Sequence, residues 1–404
     1  MKLTTADKLI LAGSKLHLTE KDIQRIENLI PLISKWNSFT DMAIQNGVGP
    51  LIHKNISYTN NFGLIPEESL SRLKQTYYRS LSRNMILYEH FSNAIEAFSK
   101  EGISVIALKG IFLAEAIYQD IGLRQMTDID LLVKKEDIEK CRKILMDMGY
   151  KYSEHYKSDF IKQFALSKHL PPLVLNGVSI ELHSKIHLDN PEFSVNIDDY
   201  WKRSQQITLS NILVQSLSIE DLIQHLCLHL HEHFNGGNSQ LHSFVDISEL
   251  IKKYSSKINW DSLLGSCKLY NCSNIVFKYI LLIKKYFDVM IPENIMNKAN
   301  SVIDVRTEKL FIYYLQHFRK DIPFEISNKN IETLGNLRGF KNKFFYLLDD
   351  LFPSRTFMYR RYEINKKYLL FWFYILRFKT GIYRLLMQII KQIISLAKPP
   401  KKNK

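Results

Sequence analysis

The chain has only four cysteines in 404 residues, Cys141, Cys227, Cys267 and Cys272. They show neither the paired spacing of a zinc site nor the pattern of a secreted disulfide scaffold, so free thiols in a reducing compartment are expected. Long apolar runs are also scarce. The first twenty residues carry a brief apolar patch broken by polar side chains, without the long h-region and small-residue cleavage site of a signal peptide. Residues 368–376 (YLLFWFYIL) are too short to span a bilayer before Arg377 and Lys379 interrupt them. Internal repeats and low-complexity segments are absent.

Acidic residues are scarce in one place, and that settles how the net charge of +14 is to be read. Residues 354–404 hold thirteen Lys or Arg against one acid, Glu363, so the tail accounts for twelve of those charges. The remainder is close to neutral. It lacks the broad basic footprint that duplex DNA requires, which argues against a template-reading polymerase.

What is present is concentrated between residues 103 and 133. Residues 103–108 (ISVIAL) form a continuous, β-branched apolar run, the pattern of a strand buried on both faces. Lys109-Gly110 ends it, and Gly110 lets the backbone turn sharply into a helix over residues 111–118, whose free N–H groups can face an anion. Arg124 follows, and then Thr127-Asp128-Ile129-Asp130. Side chains alternate on a strand, so Asp128 and Asp130 share a face. Carboxylates held that close repel as anions, and a divalent cation between them offsets the repulsion. An acid-aliphatic-acid strand is also what a solvated sheet edge looks like, but here a phosphate cradle, cations and a metal-binding pair fall in one short unit.

The segment LKG, then Tyr118, then GLRQMTDIDLLV resembles the signature of the uncharacterised nucleotidyltransferase family within the DNA polymerase beta-like superfamily. The resemblance covers roughly residues 80–250. It implies a nucleoside triphosphate held at the Lys109-Gly110 turn, Mg2+ (or Mn2+) on Asp128 and Asp130, and a third carboxylate on a later strand. Lys109 stands where the usual motif has Gly, and Ile111 offers no hydroxyl to the phosphates. A bacterial, cytoplasmic, ATP-binding enzyme is the corresponding expectation.

The third carboxylate can be sought from the residues alone. Residues 173–183 read LVL-NG-VSIELH, and Asn176-Gly177 between two apolar runs is a strong hairpin signal. Ser179, Glu181 and His183 then share one face, which lets Glu181 project beside the aspartates. The family pattern of an acid followed by Leu-His matches Glu181-Leu182-His183. Glu181 is expected to complete the metal site or to take the acceptor's proton, and His183 to contact substrate or support the ligands. The competing reading is an ordinary solvent-facing glutamate.

A second cluster follows Ser218, a helix N-cap candidate with Glu220 and Asp221 in the first turn. His225, His229 and His233 fall four apart and form one stripe beside an apolar face. Histidines so spaced can bind a transition metal, but the zinc-protease pattern needs a Glu directly after the first His, and Leu226 stands there. A helix packed over the cleft, with His225 and His229 as substrate contacts, is the favoured reading, in keeping with the resemblance.

The expected fold class is α+β, a small mixed β-sheet core embedded in a mostly helical protein. Its expected parts are an N-terminal helical region (1–100), the nucleotidyltransferase core (101–208), a helical domain (209–350) and basic, aromatic-rich C-terminal helices and tail (351–404). The expected activity is transfer of a nucleotidyl group by Asp128, Asp130 and Glu181, with Lys109, Gly110, Arg124 and Thr127 binding nucleotide. The acceptor is open among small molecule, sugar, peptide and RNA. Competing readings are a degenerate nucleotide sensor, a toxin-like protein- or RNA-modifying transferase, and a non-enzymatic membrane-surface adaptor. For the tail, residues 357–380 are expected to pack and 382–398 to contact a membrane surface or a partner, with residues 399–404 disordered.

Overall fold

The computed structural model describes residues 2–152, 170–187, 192–235, 240–299, 303–317, 358, 362 and 367–379. The chain divides into two units, residues 1–151 with 168–333 and residues 152–167 with 334–404.

In the larger unit, the N-terminal helices start where side chains cap them. Helices α1 (Thr5–Gly13) and α2 (Glu20–Leu29) each begin with a reciprocal capping box, Thr4 with Asp7 and Thr19 with Asp22. They are followed by α3 (Trp36–Gln45), α4 (Gly49–Ile56) and the long α5 (Glu67–Lys100). Leu73, Leu87, Phe91, Ala94, Ile95 and Phe98 place the apolar stripe of α5 in the core.

Strand β1 (Val105–Ala107) is fully buried, as its β-branched sequence requires. A short helix α6 (Lys109–Phe112) follows and widens into a π-turn at Leu113–Ile117. Then come β2 (Asp128–Val133), α7 (Ile138–Asp147), β3 (Lys151–Tyr152), β4 (Leu173–Leu175), β5 (Val178–His183), α8 (Ile197–Arg203), β6 (Gln205–Leu209) and β7 (Ile212–Ser216). Among the described residues they form one mixed sheet of seven strands, ordered β3-β4-β5-β2-β1-β7-β6. The β4–β5 hairpin turns on Asn176 and Gly177, both at positive φ, as the Asn-Gly pair predicts. The β6–β7 hairpin has the same geometry at Ser210 and Asn211, and its second strand pairs parallel with β1, so the sheet extends beyond residue 208. The α+β expectation holds.

Helices α9 (Ile219–Asn235), α10 (Leu241–Lys253), α11 (Trp260–Leu269), α12 (Ser273–Phe287), α13 (Glu293–Ala299) and α14 (Val305–Gln316) complete this unit. They share an aromatic core in which Phe234 packs edge-on against Phe244, Tyr279 and Tyr314. All four cysteines are buried free thiols.

In the smaller unit, residues 370–379 are helical. Of residues 357–380, expected to pack, Met358 is buried and Tyr362 meets Phe373 at 5.1 Å, while Tyr368, Phe371 and Trp372 are 68%, 67% and 64% exposed; 357, 359–361, 363–366 and 380 lie outside the described residues. Residues 382–398, expected at a membrane surface or partner, and residues 399–404, expected to be disordered, lie outside the described residues. Among the described residues no helix is long and apolar enough to cross a membrane.

Candidate active site

Strands β2 and β5 run parallel in a register that pairs Asp128 with Ser179, Asp130 with Glu181 and Leu132 with His183. Residues paired across a ladder project to the same face, so the backbone itself brings Glu181 beside Asp130 and puts Asp128 one pleat away. The alternate residues Ile129, Ile180 and Leu182 are buried in the core, which fixes the strand faces. Donor atoms of Asp130, Glu181 and His183 lie within 4.8 Å of one another, and among the described residues no other metal-ligating group of three forms. His183 thus joins the two carboxylates. Asp128, which opens β2 nearer the solvent, stands just outside that group.

Lys109 enters from the end of β1. The amide of Leu108 donates to the Asp130 carbonyl (3.1 Å), and the Lys109 Nζ comes to 3.0 Å from Asp130 Oδ2. His183 Nε2 lies 2.7 Å from Asp130 Oδ1 and 3.5 Å from Glu181 Oε2. Burial alone would raise the Asp130 pKa, but Lys109 and His183 hold it well below the usual carboxylate range. Asp128 goes the other way. Burial, together with the charges of Asp130 and Glu181, pushes it up to about 6. Lys109 stays a cation: burial opposes its charge, but Asp130, Asp128 and Glu181 outweigh that and raise its pKa. Thr127, at the strand entrance, donates its hydroxyl to Asp128 Oδ1 at 3.2 Å.

Beneath the turn lies a second ion pair. Arg124 Nε and Nη2 donate to the two oxygens of Asp246 at 3.0 and 2.9 Å, and the Tyr118 hydroxyl donates to the same carboxylate at 2.8 Å. Arg124 and Asp246 are 8% and 3% exposed, so the guanidinium expected at the phosphates is committed to a buried bidentate pair. It also packs under Gly110. A Cβ there would come within 2.9 Å of both Arg124 Nη1 and Met126 Sδ, so a larger residue would have to displace one or both side chains.

Helix α5 supplies residues that no sequence motif marks. Tyr88 donates to the Ile111 carbonyl (2.6 Å), Asn84 to the Arg124 carbonyl (2.7 Å), and Arg83 to the carbonyls of Thr127 and Gly177 (2.9 Å each). Arg83 thereby ties the entrance of the aspartate strand to the turn of the glutamate hairpin. Lys253 of α10 caps the Ala116 carbonyl in the π-turn at 2.7 Å.

Ser218 caps α9 as its sequence suggests, accepting from the Asp221 amide at 3.2 Å. His225, His229 and His233 do form one stripe, with successive ring centroids 6.0 and 4.4 Å apart. His225 is buried and faces His187 at 3.3 Å between Nδ1 and Nε2, while His187 Nδ1 lies 3.2 Å from Glu232. His187, four residues past His183, is a member of this row that the sequence reading did not single out. A separate cavity of about 450 Å³ is lined by Arg203, Ser218, Asp221 and Ser266 among others, and none of the carboxylate cluster borders it. Its walls are already satisfied, with Arg203 bidentate on Asp221 at 2.8 Å.

No curated protein matches the chain. A solved structure, the solution structure of the antibiotic-resistance factor ANT(2'')-Ia, is similar at 9% identity and a TM-score of 0.32, covering 50% of this chain and 98% of that one. The sequence model of a family described as uncharacterised nucleotidyltransferase matches residues 34–288, from just ahead of α3 to the C-cap of α12. That match takes in more than half of the sequence and all the clusters above, and the chain belongs to this family of nucleotidyltransferases.

Proposed function

We propose that the chain transfers a nucleoside monophosphate from a triphosphate, ATP among the candidates, to an acceptor hydroxyl. Asp128, Asp130 and Glu181, with His183 beside them, would hold Mg2+ or Mn2+. The donor set fits a hard divalent cation, because carboxylate oxygens predominate and converge from two adjacent strands. Such an ion, when bound, neutralises triphosphate charge and stabilises the attacking and leaving oxygens. The observation that carries the reading is the in-register pairing of Asp130 with Glu181, which crowds carboxylates on one face.

The remaining roles follow from position. Lys109 is within reach of the carboxylate cluster and offsets charge on the leaving pyrophosphate; Gly110 allows the backbone to approach the phosphates. Thr127 orients Asp128. Arg124 acts by supporting Gly110 and the loop before β2, since its own donors are taken by Asp246. Glu181 completes the donor set or accepts the acceptor's proton, and His183 fixes Asp130. His225 and His229 contribute to the acceptor side.

The test is label transfer from each α-labelled triphosphate into a cell extract, with pyrophosphate release followed beside Asp128→Ala/Asp130→Ala. Transfer by the wild type and none by the variant is expected, and the label identifies the acceptor. Absence of both transfer and triphosphate binding in the wild type would sink the proposal. Binding without transfer would favour the sensor reading, which the closed Lys109–Asp130–His183 arrangement also suits. For the smaller unit, exposed Tyr368, Phe371 and Trp372 on the helix that carries Arg377 and Lys379 support peripheral contact with an anionic membrane surface. Flotation with anionic and neutral vesicles tests it, retention on neutral vesicles alone being contrary.

A further inference from the structure

We infer that the Lys109 ammonium is a built-in counter-cation of the carboxylate cluster, which yields its place when a divalent cation arrives and turns to the phosphates of the nucleotide. This rests on the nucleotidyltransferase reading above and gives one of its residues two successive partners. Both oxygens of Asp130 are engaged: Oδ1 is 2.7 Å from His183 and Oδ2 is 3.0 Å from Lys109. A divalent cation at Oδ2 would stand against that ammonium as a like charge, so the two compete for the same oxygen. A displaced ammonium is poorly compensated, because its side chain is 14% exposed and a charge so placed is costly to leave without a close partner. An arriving anion relieves that cost, and a triphosphate is the anion this site would take.

The backbone carries a second, independent sign. Lys109 sits at φ 44°, in the left-handed region that a non-glycine residue rarely adopts. Its neighbours Leu108 and Ile111 are tied down, the first donating to the Asp130 carbonyl and the second accepting from Tyr88, so the turn is held and the exchange falls to the flexible lysine stem. A lysine kept where glycine would be relaxed is a side chain retained for its charge. With it in place, three crowded carboxylates can fold before any metal or nucleotide is bound.

The experiment measures Mn2+ binding by electron paramagnetic resonance on the full chain, wild type beside Lys109→Met and Asp130→Asn, with and without α,β-methylene ATP. Removing the competing cation should tighten free Mn2+ about tenfold in Lys109→Met, as expected for one neighbouring charge. The same variant should bind the Mn2+–nucleotide complex more weakly, because the phosphate partner is lost. A lysine of purely structural value would weaken both, and that result overturns the inference. Amine acetylation of the wild type, read by mass spectrometry, gives a measurement independent of any variant's folding. Lys109 labelling should be low in chelator, rise several-fold with Mg2+ alone and fall again with Mg2+ and the analogue; labelling indifferent to Mg2+ overturns the exchange. Failure of the wild type to bind Mn2+ in any of these conditions sinks the nucleotidyltransferase reading itself.

Discussion

Lys109 and Arg124 are both largely buried cations within one loop-rich end of the sheet, and each faces an aspartate, yet their surroundings differ in charge balance. Arg124 and Asp246 close on each other with two parallel hydrogen bonds, and Tyr118 satisfies the carboxylate further. One cation meets one anion. Around Lys109 stand Asp128, Asp130 and Glu181, and burial together with the two neighbouring carboxylates pushes Asp128 up to about 6. A balanced, bidentate, enclosed pair suits architecture, whereas crowded carboxylates, faced among the described residues by the Lys109 ammonium and His183, suit the binding role proposed above. The difference separates a cation whose donors are taken up by its partner from one that faces several carboxylates, something residue type alone does not say.

Breaking the closed pair should produce the largest change. Arg124→Ala leaves Asp246 buried without its cation and should cost about 3–5 kcal/mol in urea unfolding. Arg124→Met combined with Asp246→Leu should restore most of it; a loss below about 1 kcal/mol for the single variant would return Arg124 to the phosphates. At the open site the large effect should fall on chemistry. Asp130→Asn should lower nucleotidyl transfer by about 10²–10³-fold or more, read by pyrophosphate release, with the fold retained by circular dichroism.

Asp128→Asn sharpens the comparison through pH. The folded pKa of about 6 exceeds the ordinary 3.8, so between those values the folded state binds more protons and ionisation withdraws stability as pH rises. In chelator at pH 7.5 the variant should therefore be more stable by about 1–2 kcal/mol, a gain that disappears below about pH 4. Thermal unfolding from pH 4 to 8 checks the sign. Arg83→Ala should matter least for stability, about 1 kcal/mol by urea unfolding, since its two carbonyl contacts are partly exposed.

The carboxylate face was legible because strand alternation and an Asn-Gly turn are local rules. They put Asp128, Asp130 and Glu181 on one side, and the β2–β5 register agrees. The cysteines and the Ser218 cap were legible for the same reason. Pairings between distant segments were not. Nothing in the spacing of Arg124 and Asp246, 122 residues apart, announces their ion pair. The β6–β7 hairpin escaped because Ser210-Asn211 lacks the glycine that marks its counterpart, although both turn residues take positive φ. Arg83 and Asn84 escaped because polar residues on a long helix read as a solvated face until the loops they hold are in place.

Helix α5 has a consequence for how the molecule can be taken apart. Its 34 residues run about 50 Å, from the N-terminal helices to the site, where Arg83, Asn84 and Tyr88 hold the loop before β2, the β4–β5 turn and helix α6 from adjacent turns. A fragment starting at residue 101 would keep every acidic residue of the site and lose the spine that sets their loops. Residues 67–100 thus act on the site as a splint, and a truncation meant to keep the loops in place should begin upstream of α5.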